Sequence, residues 1–332
     1  MRSPRLLPAL ACLAVISLTP VPPAGSLPPS IAFASRRDGH WEIYRMDADG
    51  RSQTRLTSRD GENRFPVWSP DGRRIAFGSS DGTRWDLWVM DADGRHPTRV
   101  ATGLVAKSPR SWSPDGTRII CVMIRDGNRD IYSVRADGTG ITRLTESAGN
   151  DDVPQWSPDG RRIAFVSERD GNAEIYLMQA DGSRPVRLTT QAAADGDPFW
   201  SPDGRRIAFN STRDGRRQLY VMDADGGHVV RITADSSADA IPQWSPDGTR
   251  IAFQAVRGRN YDIEAVDPDG RHRTRLTSDT TYDGSLAWSP DGSRIAFISD
   301  RAGYSAMYLI SPDGSGAARL TDGPSLTPNW SR

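Results

Sequence analysis

A pentapeptide repeated at a fixed interval constrains the fold of this chain more than any other feature. The string Trp-Ser-Pro-Asp-Gly occurs six times, each copy 44 residues after the one before, and a further pair, Trp330-Ser331, follows 42 residues after the sixth. The six copies begin at Trp68, Trp112, Trp156, Trp200, Trp244 and Trp288. Repeats of this length stack side by side and bury a shared core, so we expect one repetitive domain rather than two unrelated ones.

Each repeat contains four short segments with strand character, which we call strands a, b, c and d. The tryptophan segment is followed by an Ile-Ala-Phe strand such as Ile75–Phe77, a strand of the Glu-Ile-Tyr type and a short Arg-Leu-Thr strand. Ser-Pro-Asp-Gly suits a tight turn between a and b, and Asp-Ala-Asp-Gly suits one between c and d. A period of about 40 to 45 residues with four strands is typical of a β-propeller blade.

The two ends of the sequence predict how such a ring closes. A first copy without the tryptophan motif runs from Ile31 to Thr57 and supplies strands b, c and d, whereas Leu326–Trp330 is a lone strand a. Pairing these segments would remove two exposed sheet edges that otherwise favour aggregation. We therefore predict an all-β, seven-bladed β-propeller over residues 27–332, with four antiparallel strands per blade, closed by pairing the C-terminal strand with the N-terminal three strands.

The first 26 residues have the pattern of a signal peptide. Arg2 and Arg5 precede an apolar stretch, Leu6–Leu18, and small residues stand before Leu27. The stretch is shorter than the roughly 18 to 20 residues that cross a bilayer, so we expect export to the periplasm or the exterior without a transmembrane segment. Cys12 leaves open the alternative of a lipoprotein.

Charge and cysteine content narrow the functional classes. The 42 basic side chains balance 42 acidic ones without a long run of either sign, which argues against a nucleic-acid partner. Cys121 lies in an apolar run and would be alone in the exported chain, so it is predicted to be a buried free thiol.

The repeated Trp-Ser-Pro-Asp-Gly, Ile-Ala-Phe and Asp-Ala-Asp-Gly strings resemble the propeller of the TolB-like family, a relative of the WD-repeat propellers, across essentially all of residues 31–332. The resemblance implies the fold strongly and the function weakly, since such propellers occur in TolB, in prolyl oligopeptidase-type enzymes and in oligogalacturonate lyase. TolB itself carries an amino-terminal α/β domain and six blades. The predicted architecture differs on both points, so the resemblance does not by itself carry over TolB's role in the Tol-Pal envelope system.

Arginine occupies one strand-d position in every repeat. Across the c–d turn, five of these arginines face an acidic residue of strand c, which predicts structural ion pairs rather than an anion-binding ring. The predicted pairs are Arg55 with Glu42, Arg99 with Asp86, Arg143 with Asp130, Arg187 with Glu174, and Arg275 with Asp262. The repeated tryptophans are predicted to be wedges packed between blades.

Motifs for catalysis and metal binding are missing from the sequence. The one Gly-x-Ser-x-Gly string, Gly78-Ser79-Ser80-Asp81-Gly82, lies between two predicted strands rather than between a strand and a helix as a nucleophile elbow requires, and the four histidines fall in different repeats, mostly at the rim. The Asp-x-Asp-Gly turns lack the roughly six to eight oxygen ligands that a calcium loop supplies. We therefore predict no catalytic residue, no metal site and no cofactor.

Recognition is expected on the face that carries the b–c and d–a loops, because the repeats differ most there. Aromatic residues precede the strand-c acid in neighbouring blades, at Trp41, Trp85 and Tyr261, and Tyr282 and Tyr304 lie in adjacent loops. An aromatic sector of this kind suits a protein or glycan ligand. The alternative is that Trp41 and Trp85 merely pack between blades.

The d–a loops add a second set of candidates. Four consecutive repeats carry aspartate five residues before the strand-a tryptophan. An acidic arc that receives cationic groups is one interpretation of these residues, and turn capping is the other. Lys107 and Arg110 differ from the residues at the same positions of the other repeats and make one repeat locally basic, so they are candidates for specificity. The aspartates are Asp151, Asp195, Asp239 and Asp283.

The leading functional hypothesis is an exported, monomeric, non-enzymatic propeller that binds an envelope protein or peptide at this variable face. One alternative is a cell-wall glycan binder. The other is a polysaccharide lyase or hydrolase in which Asp195, Asp239 and Asp283 act as acid and base.

Overall fold

Strands and turns make up the described part of the chain, and no helix occurs there. The computed structural model describes residues 29–58, 61–105, 111–234 and 238–331. The predicted leader with Cys12, and the predicted specificity residues Lys107 and Arg110, lie outside these ranges.

The strands follow one another in antiparallel meanders, which we number as seven units. Unit 1 contains β1 (Ser30–Ser35), β2 (Glu42–Asp47) and β3 (Thr54–Arg55), unit 2 contains β4 (Glu62–Trp68), β5 (Arg74–Ser80), β6 (Trp85–Asp91) and β7 (Thr98–Leu104), and unit 3 contains β8 (Ser111–Trp112), β9 (Arg118–Arg125), β10 (Asn128–Arg135) and β11 (Ile141–Arg143). Unit 4 contains β12 (Asp151–Trp156), β13 (Arg162–Ser167), β14 (Glu174–Gln179) and β15 (Val186–Arg187).

The later units repeat the same order. Unit 5 contains β16 (Asp195–Trp200), β17 (Arg206–Ser211), β18 (Gln218–Asp223) and β19 (Val230–Arg231), and unit 6 contains β20 (Ala238–Trp244), β21 (Ile251–Arg257), β22 (Asn260–Val266) and β23 (Thr274–Arg275). Unit 7 contains β24 (Asp283–Trp288), β25 (Ile295–Ser299), β26 (Ala306–Ile310) and β27 (Ala318–Arg319), and β28 (Ser325–Trp330) ends the series.

The last strand pairs with the first. In the register of β28 and β1, Trp330 lies opposite Ile31 and Ser325 lies opposite Ser35. The resulting sheet has the order β28-β1-β2-β3, so β28 serves as strand a of unit 1. We call the junction between units 7 and 1 the seam.

Units 2 and 3 depart from the predicted pattern of separate four-stranded sheets. The last residue of β7, Leu104, pairs with Met123 of β9, and the two units share one eight-stranded sheet. The sequence differs here, because Arg99 is followed by Val-Ala-Thr-Gly-Leu where other repeats place Leu-Thr and a polar loop, and Val100, Ala101 and Leu104 are buried.

The glycine of each c–d turn sets the distance between neighbouring units. Gly182 has a φ of +88°, and a Cβ atom there would lie 2.7 Å from the carbonyl oxygen of Leu144 in the preceding unit. Only glycine accommodates both the conformation and the approach. A close approach to a carbonyl oxygen recurs at Gly94, Gly226 and Gly270, against Leu56, Leu188 and Ile232. At Gly50 the added atom would meet the Leu320 side chain, and at Gly138 and Gly314 it would lie at ordinary contact distance from Val100 and Leu276.

Seven apolar clusters lie between neighbouring sheets, and each contains one strand-a tryptophan. At the seam, Trp330 packs with Phe33 of unit 1 and Met307 of unit 7. The tryptophans are buried, so the predicted wedge role is confirmed. Cys121 takes the strand-b position that is phenylalanine in the other units, and its burial as a free thiol is also as predicted.

Candidate functional site

A layer of buried charged side chains underlies the loop face, which we define as the side carrying the b–c and d–a loops. Glu174 is fully buried, and its carboxylate accepts hydrogen bonds from Arg187 at 2.6 Å and from the Thr189 hydroxyl at 2.5 Å. All five predicted arginine–acid pairs are confirmed, with the shortest N–O separations at 2.6, 3.4, 2.7, 2.6 and 2.8 Å in chain order.

The pairs differ from the prediction in two details. Arg187 lies directly opposite Tyr176 in the strand register, so its guanidinium reaches Glu174 diagonally. The acidic partners are buried rather than exposed, because the loops above them and the next unit cover them. A buried carboxylate depends on its partner far more than a surface one does, so these pairs hold the loop face in place.

The aspartates that begin strand a are held by arginines of the b–c loops. Asp151 and Asp195 are buried, and they accept hydrogen bonds from Arg169 at 3.1 Å and from Arg213 at 2.9 Å. Asp283 is bonded in the same way by Arg301 at 3.3 Å, and burial raises the pKa of Asp283. The three therefore lie beneath the surface with cationic partners. Asp239 lies in β20, and its side chain is outside the described part of the structure.

These b–c loop arginines were missed by sequence reasoning. The guanidinium carbon of Arg169 lies 4.7 Å from the ring centroid of Tyr176 and 5.5 Å from that of Phe165, so the cation stacks on two rings while it binds Asp151. The signal that predicts them is a Ser-x-Arg string that closes strand b in four of the seven repeats. The four arginines are Arg37, Arg169, Arg213 and Arg301.

The aromatic residues predicted for recognition form contacts in pairs. The rings of Tyr261 and Tyr282 have centroids 5.2 Å apart. The two residues also form an isolated parallel bridge, which joins β22 of unit 6 to the residue directly before β24 of unit 7. Arg64 lies over Trp41 with 4.8 Å between the guanidinium carbon and the ring centroid. Trp41, Tyr261 and Tyr282 are half-buried, so each ring leaves part of its surface accessible.

Phe65 is a further member of this sector that the sequence comparison did not identify. It adopts a left-handed conformation with a φ of +59° at a bulge in β4, and its ring lies 5.7 Å from that of Trp85. Trp41 and Trp85 also pack against the clusters between units, so the packing interpretation holds for the buried part of each ring. Tyr304 is half-buried against the cluster between units 6 and 7.

Polar side chains of units 3 to 5 also form contacts on the loop face. Arg129 of unit 3 donates to Asp152 of unit 4 at 3.2 Å, and Asn210 donates to Asp197 of unit 5 at 2.6 Å. Within the described ranges, no three histidine, cysteine, aspartate or glutamate side chains come together as a metal site would require. The predicted aromatic residues thus lie in units 6, 7, 1 and 2, whereas charged pairs occur in those units as well, for example between Arg301 and Asp279 in unit 7.

The histidines lie at the c–d turns on the opposite face, except His40 in a b–c loop. His96, His228 and His272 each contact an aspartate of their own turn through Nδ1, at 2.7, 2.5 and 2.6 Å. The bond to Asp223 raises the pKa of His228. They are local turn contacts in separate units, as expected from the sequence.

Radially packed four-stranded meanders with a tryptophan wedge between neighbours define this molecule as a protein of the β-propeller class. A model of the TolB beta propeller domain matches residues 101–186, 154–265 and 236–332. The chain therefore belongs to the TolB β-propeller family. A comparison with curated proteins gives no match.

Solved structures with the same fold belong to proteins of several different functions. TolB from Acinetobacter baumannii is 21% identical over 91% of this chain and 66% of its own, with a TM-score of 0.61. Oligogalacturonate lyase in complex with manganese is 20% identical over 85% of both chains, with a TM-score of 0.73. A puromycin-hydrolyzing peptidase from Mycobacterium tuberculosis is 17% identical over 89% of this chain and 54% of its own, with a TM-score of 0.70.

These likenesses establish the fold alone. This chain spans about two thirds of the A. baumannii TolB chain and about half of the peptidase. Among the described residues there is also no helix with the length and apolar character needed to span a membrane.

Proposed function

We propose that this chain is an exported, monomeric β-propeller of seven blades over residues 27–332, and that it binds an envelope protein, or a peptide segment of one, at the loop face. A closed ring is supported by the contacts between the strands a of neighbouring units. Each strand a contacts the next, in the order β4, β8, β12, β16, β20, β24 and β28, and β28 in turn contacts β4. Export is supported by the signal-peptide pattern of the first 26 residues.

The observation that carries the binding proposal is the Tyr261–Tyr282 pair. Two half-buried tyrosines in contact present a rigid, amphipathic surface, which costs little side-chain entropy on binding. Trp41 under Arg64 and Trp85 beside Phe65 extend the surface into units 1 and 2. Tryptophan, tyrosine and arginine are the residues enriched where protein partners bind most strongly.

The charged groups predicted alongside this sector have a supporting role in the proposal. Lys107 and Arg110 add basic character beside unit 2, and Asp239 belongs to the column whose described members are buried and bonded to arginine. We propose that Lys107 and Arg110 adjust specificity, while Asp151, Asp195, Asp239 and Asp283 fix the b–c loops of their own units.

Capture from an envelope extract tests the proposal. Tyr261→Ala together with Tyr282→Ala should weaken binding of the captured partner by about 30-fold or more in a titration with the purified partner, as expected for the loss of a binding hot spot. His96→Ala, on the opposite face, is the control and should bind like the wild type. Equal binding by all three proteins would contradict the proposal, and selective binding to glycans on an array would favour the glycan alternative.

A further inference from the structure

A cavity of about 400 Å³ opens at the seam, on the face that carries the tight a–b and c–d turns. Its floor is apolar and includes Trp330, Leu309 and Leu320, and its wall includes Pro290 and Arg294. This face is opposite the loop face, so the cavity is separate from the site proposed above.

The other junctions show what normally occupies this position. Where two neighbouring units both have an intact a–b turn, the glycine of the second turn packs on the proline of the first, and a Cβ on Gly160 would lie 3.4 Å from Pro114. Five junctions share this contact. They join Gly116 to Pro70, Gly160 to Pro114, Gly204 to Pro158, Gly248 to Pro202, and Gly292 to Pro246.

The seam has the proline but no such turn among the described residues. Pro290 ends the series of prolines, and the next a and b strands, β28 and β1, come from opposite ends of the chain. The ends of the turn are nevertheless reproduced by Ser331 and Ser30, which share two hydrogen bonds of 2.8 Å. The cavity therefore lies where a Pro-Asp-Gly segment would connect these two serines.

A hydrogen-bond donor also faces the cavity. In unit 2 the corresponding arginine, Arg74, stacks on Trp112 and donates to the carbonyl oxygen of Gly116 at 2.7 Å, so it recognises the turn of the next unit. Arg294 holds the same position in unit 7, where it lines the cavity and donates to the Ser311 hydroxyl. Its guanidinium has further N–H groups that suit a peptide carbonyl.

The width of the cavity has a local cause. Unit 7 carries Ala318 where every other unit carries threonine or valine, and it carries Gly316 where the other units carry larger residues, such as Arg184 in unit 4, except for Gly140 in unit 3. Ala318 is exposed at the cavity wall, so the opening is not covered by its own unit.

We propose that the seam cavity binds a proline-containing tight turn of a partner protein, with the chemistry of the Ser-Pro-Asp-Gly turns found at the other junctions. The glycine of the incoming turn packs on Pro290, its proline lies against the apolar floor, and its carbonyl accepts a hydrogen bond from Arg294. The five intact junctions supply the pattern for the contact of glycine with proline, and the bond between Arg74 and the Gly116 carbonyl supplies the pattern for the contact with Arg294. The cavity volume is within the range of small peptide and ligand sites.

Fluorescence anisotropy with the full chain and a labelled cyclic peptide containing Ser-Pro-Asp-Gly-Arg tests the proposal. Cyclisation fixes the turn and lowers the ordering cost of binding. The Kd of the wild type for this peptide should be at least about tenfold lower than its Kd for a cyclic peptide with the same residues in scrambled order. Equal binding of the two peptides would overturn the proposal.

Matched variants locate the site. Ala318→Trp should fill the cavity and abolish the preference, whereas Thr54→Trp, at the equivalent exposed position of β3, should retain it. Arg294→Gln leaves the cavity open and should weaken binding of the Ser-Pro-Asp-Gly-Arg peptide. Retained binding in both Ala318→Trp and Arg294→Gln would contradict the assignment. A tenfold gain in affinity for the Ser-Pro-Asp-Gly-Arg peptide in Leu27→Asp would also contradict it, because the residues preceding Pro29 would then be the natural occupant of the cavity.

Discussion

Ser331 and Ser30, from opposite ends of the described chain, are joined by two hydrogen bonds: the Ser331 N–H donates to the Ser30 carbonyl at 2.8 Å, and the Ser30 N–H donates to the Ser331 Oγ at 2.8 Å. In the intact turn of unit 2, Ser69 and Arg74 make the same two bonds at 2.8 and 2.9 Å. At the seam, the two hydrogen bonds that flank an a–b turn are therefore present, although Ser331 and Ser30 are not joined by a turn. Its stability has to come from strand pairing and from Trp330.

Two glycines of unit 4, Gly171 in the b–c loop and Gly182 in the c–d turn, predict a position-dependent penalty for a single added methyl group. Gly171→Ala should cost about 1 to 2 kcal/mol, because its left-handed φ of +100° disfavours a side chain while the surrounding space is open. Gly182→Ala should cost about 1 to 3 kcal/mol more, because the Cβ would also meet the Leu144 carbonyl. Equilibrium unfolding in urea measures both, and equal losses would show that neighbouring units do not approach this closely.

The buried acid of unit 4 should be far more important for stability than a surface acid. Glu174→Ala leaves Arg187 and the Thr189 hydroxyl without their shared acceptor and should lower the free energy of unfolding by about 3 to 5 kcal/mol. Asp137→Ala removes an exposed acid that pairs with Arg135 at 3.2 Å and accepts turn hydrogen bonds from Thr139, and it should change the free energy of unfolding by about 1 kcal/mol or less. Similar losses in the two variants would contradict the role given to the buried layer.

Three tyrosines should ionise late. Burial and hydrogen bonds to loop aspartates raise the pKa of Tyr44, Tyr176 and Tyr220 to about 12. Because the folded pKa lies above the unfolded value of about 10, the neutral phenols stabilise the fold below pH 10, and this contribution is lost as the pH rises from 10 to 12. Phenolate absorbance during alkaline titration measures the effect. Asp170→Asn should lower the pKa of Tyr176 alone, and an unchanged titration would contradict the assignment.

Cys121 should be unreactive in the native state. Burial raises the pKa of its thiol to about 12, so thiolate is scarce at neutral pH and reagents have no access. A thiol-specific reagent at pH 8 should therefore label residues 27–332, in which Cys121 is the one cysteine, only when denaturant unfolds them. Rapid labelling of the native protein would show that unit 3 opens locally or that the strand-b column is packed differently.

The sequence was sufficient for features that recur in every repeat. The partnership of Glu42 with Arg55 could be predicted because both occupy fixed columns on strands joined by one tight turn, so their separation depends on a single unit. The tryptophan wedges were predictable for the same reason. The extension of β7 beyond Arg99 was missed because it depends on five residues of one repeat that pair with the next unit.

The candidate site was harder to predict because its contacts cross several elements. Arg169 binds Asp151, bonds to Ser167 and stacks on two rings, and no single column of the sequence contains these partners together. Phe65 reaches Trp85 only because a bulge in β4 places it in a left-handed conformation, which bulky residues rarely adopt. The identities of the aromatic residues were visible in the sequence, whereas their pairing was not.

The melting temperature of a chain that lacks Ser325–Arg332 tests the closed ring most directly. The deletion removes β28 and Trp330, so unit 1 loses its first strand and the cluster at the seam loses its wedge. We expect a fall of about 10 °C or more, since loss of a buried tryptophan alone costs about 3 to 5 kcal/mol and each kcal/mol corresponds to about 2 to 4 °C in a chain of this size. An unchanged melting temperature would show that the two ends of the chain do not close the ring.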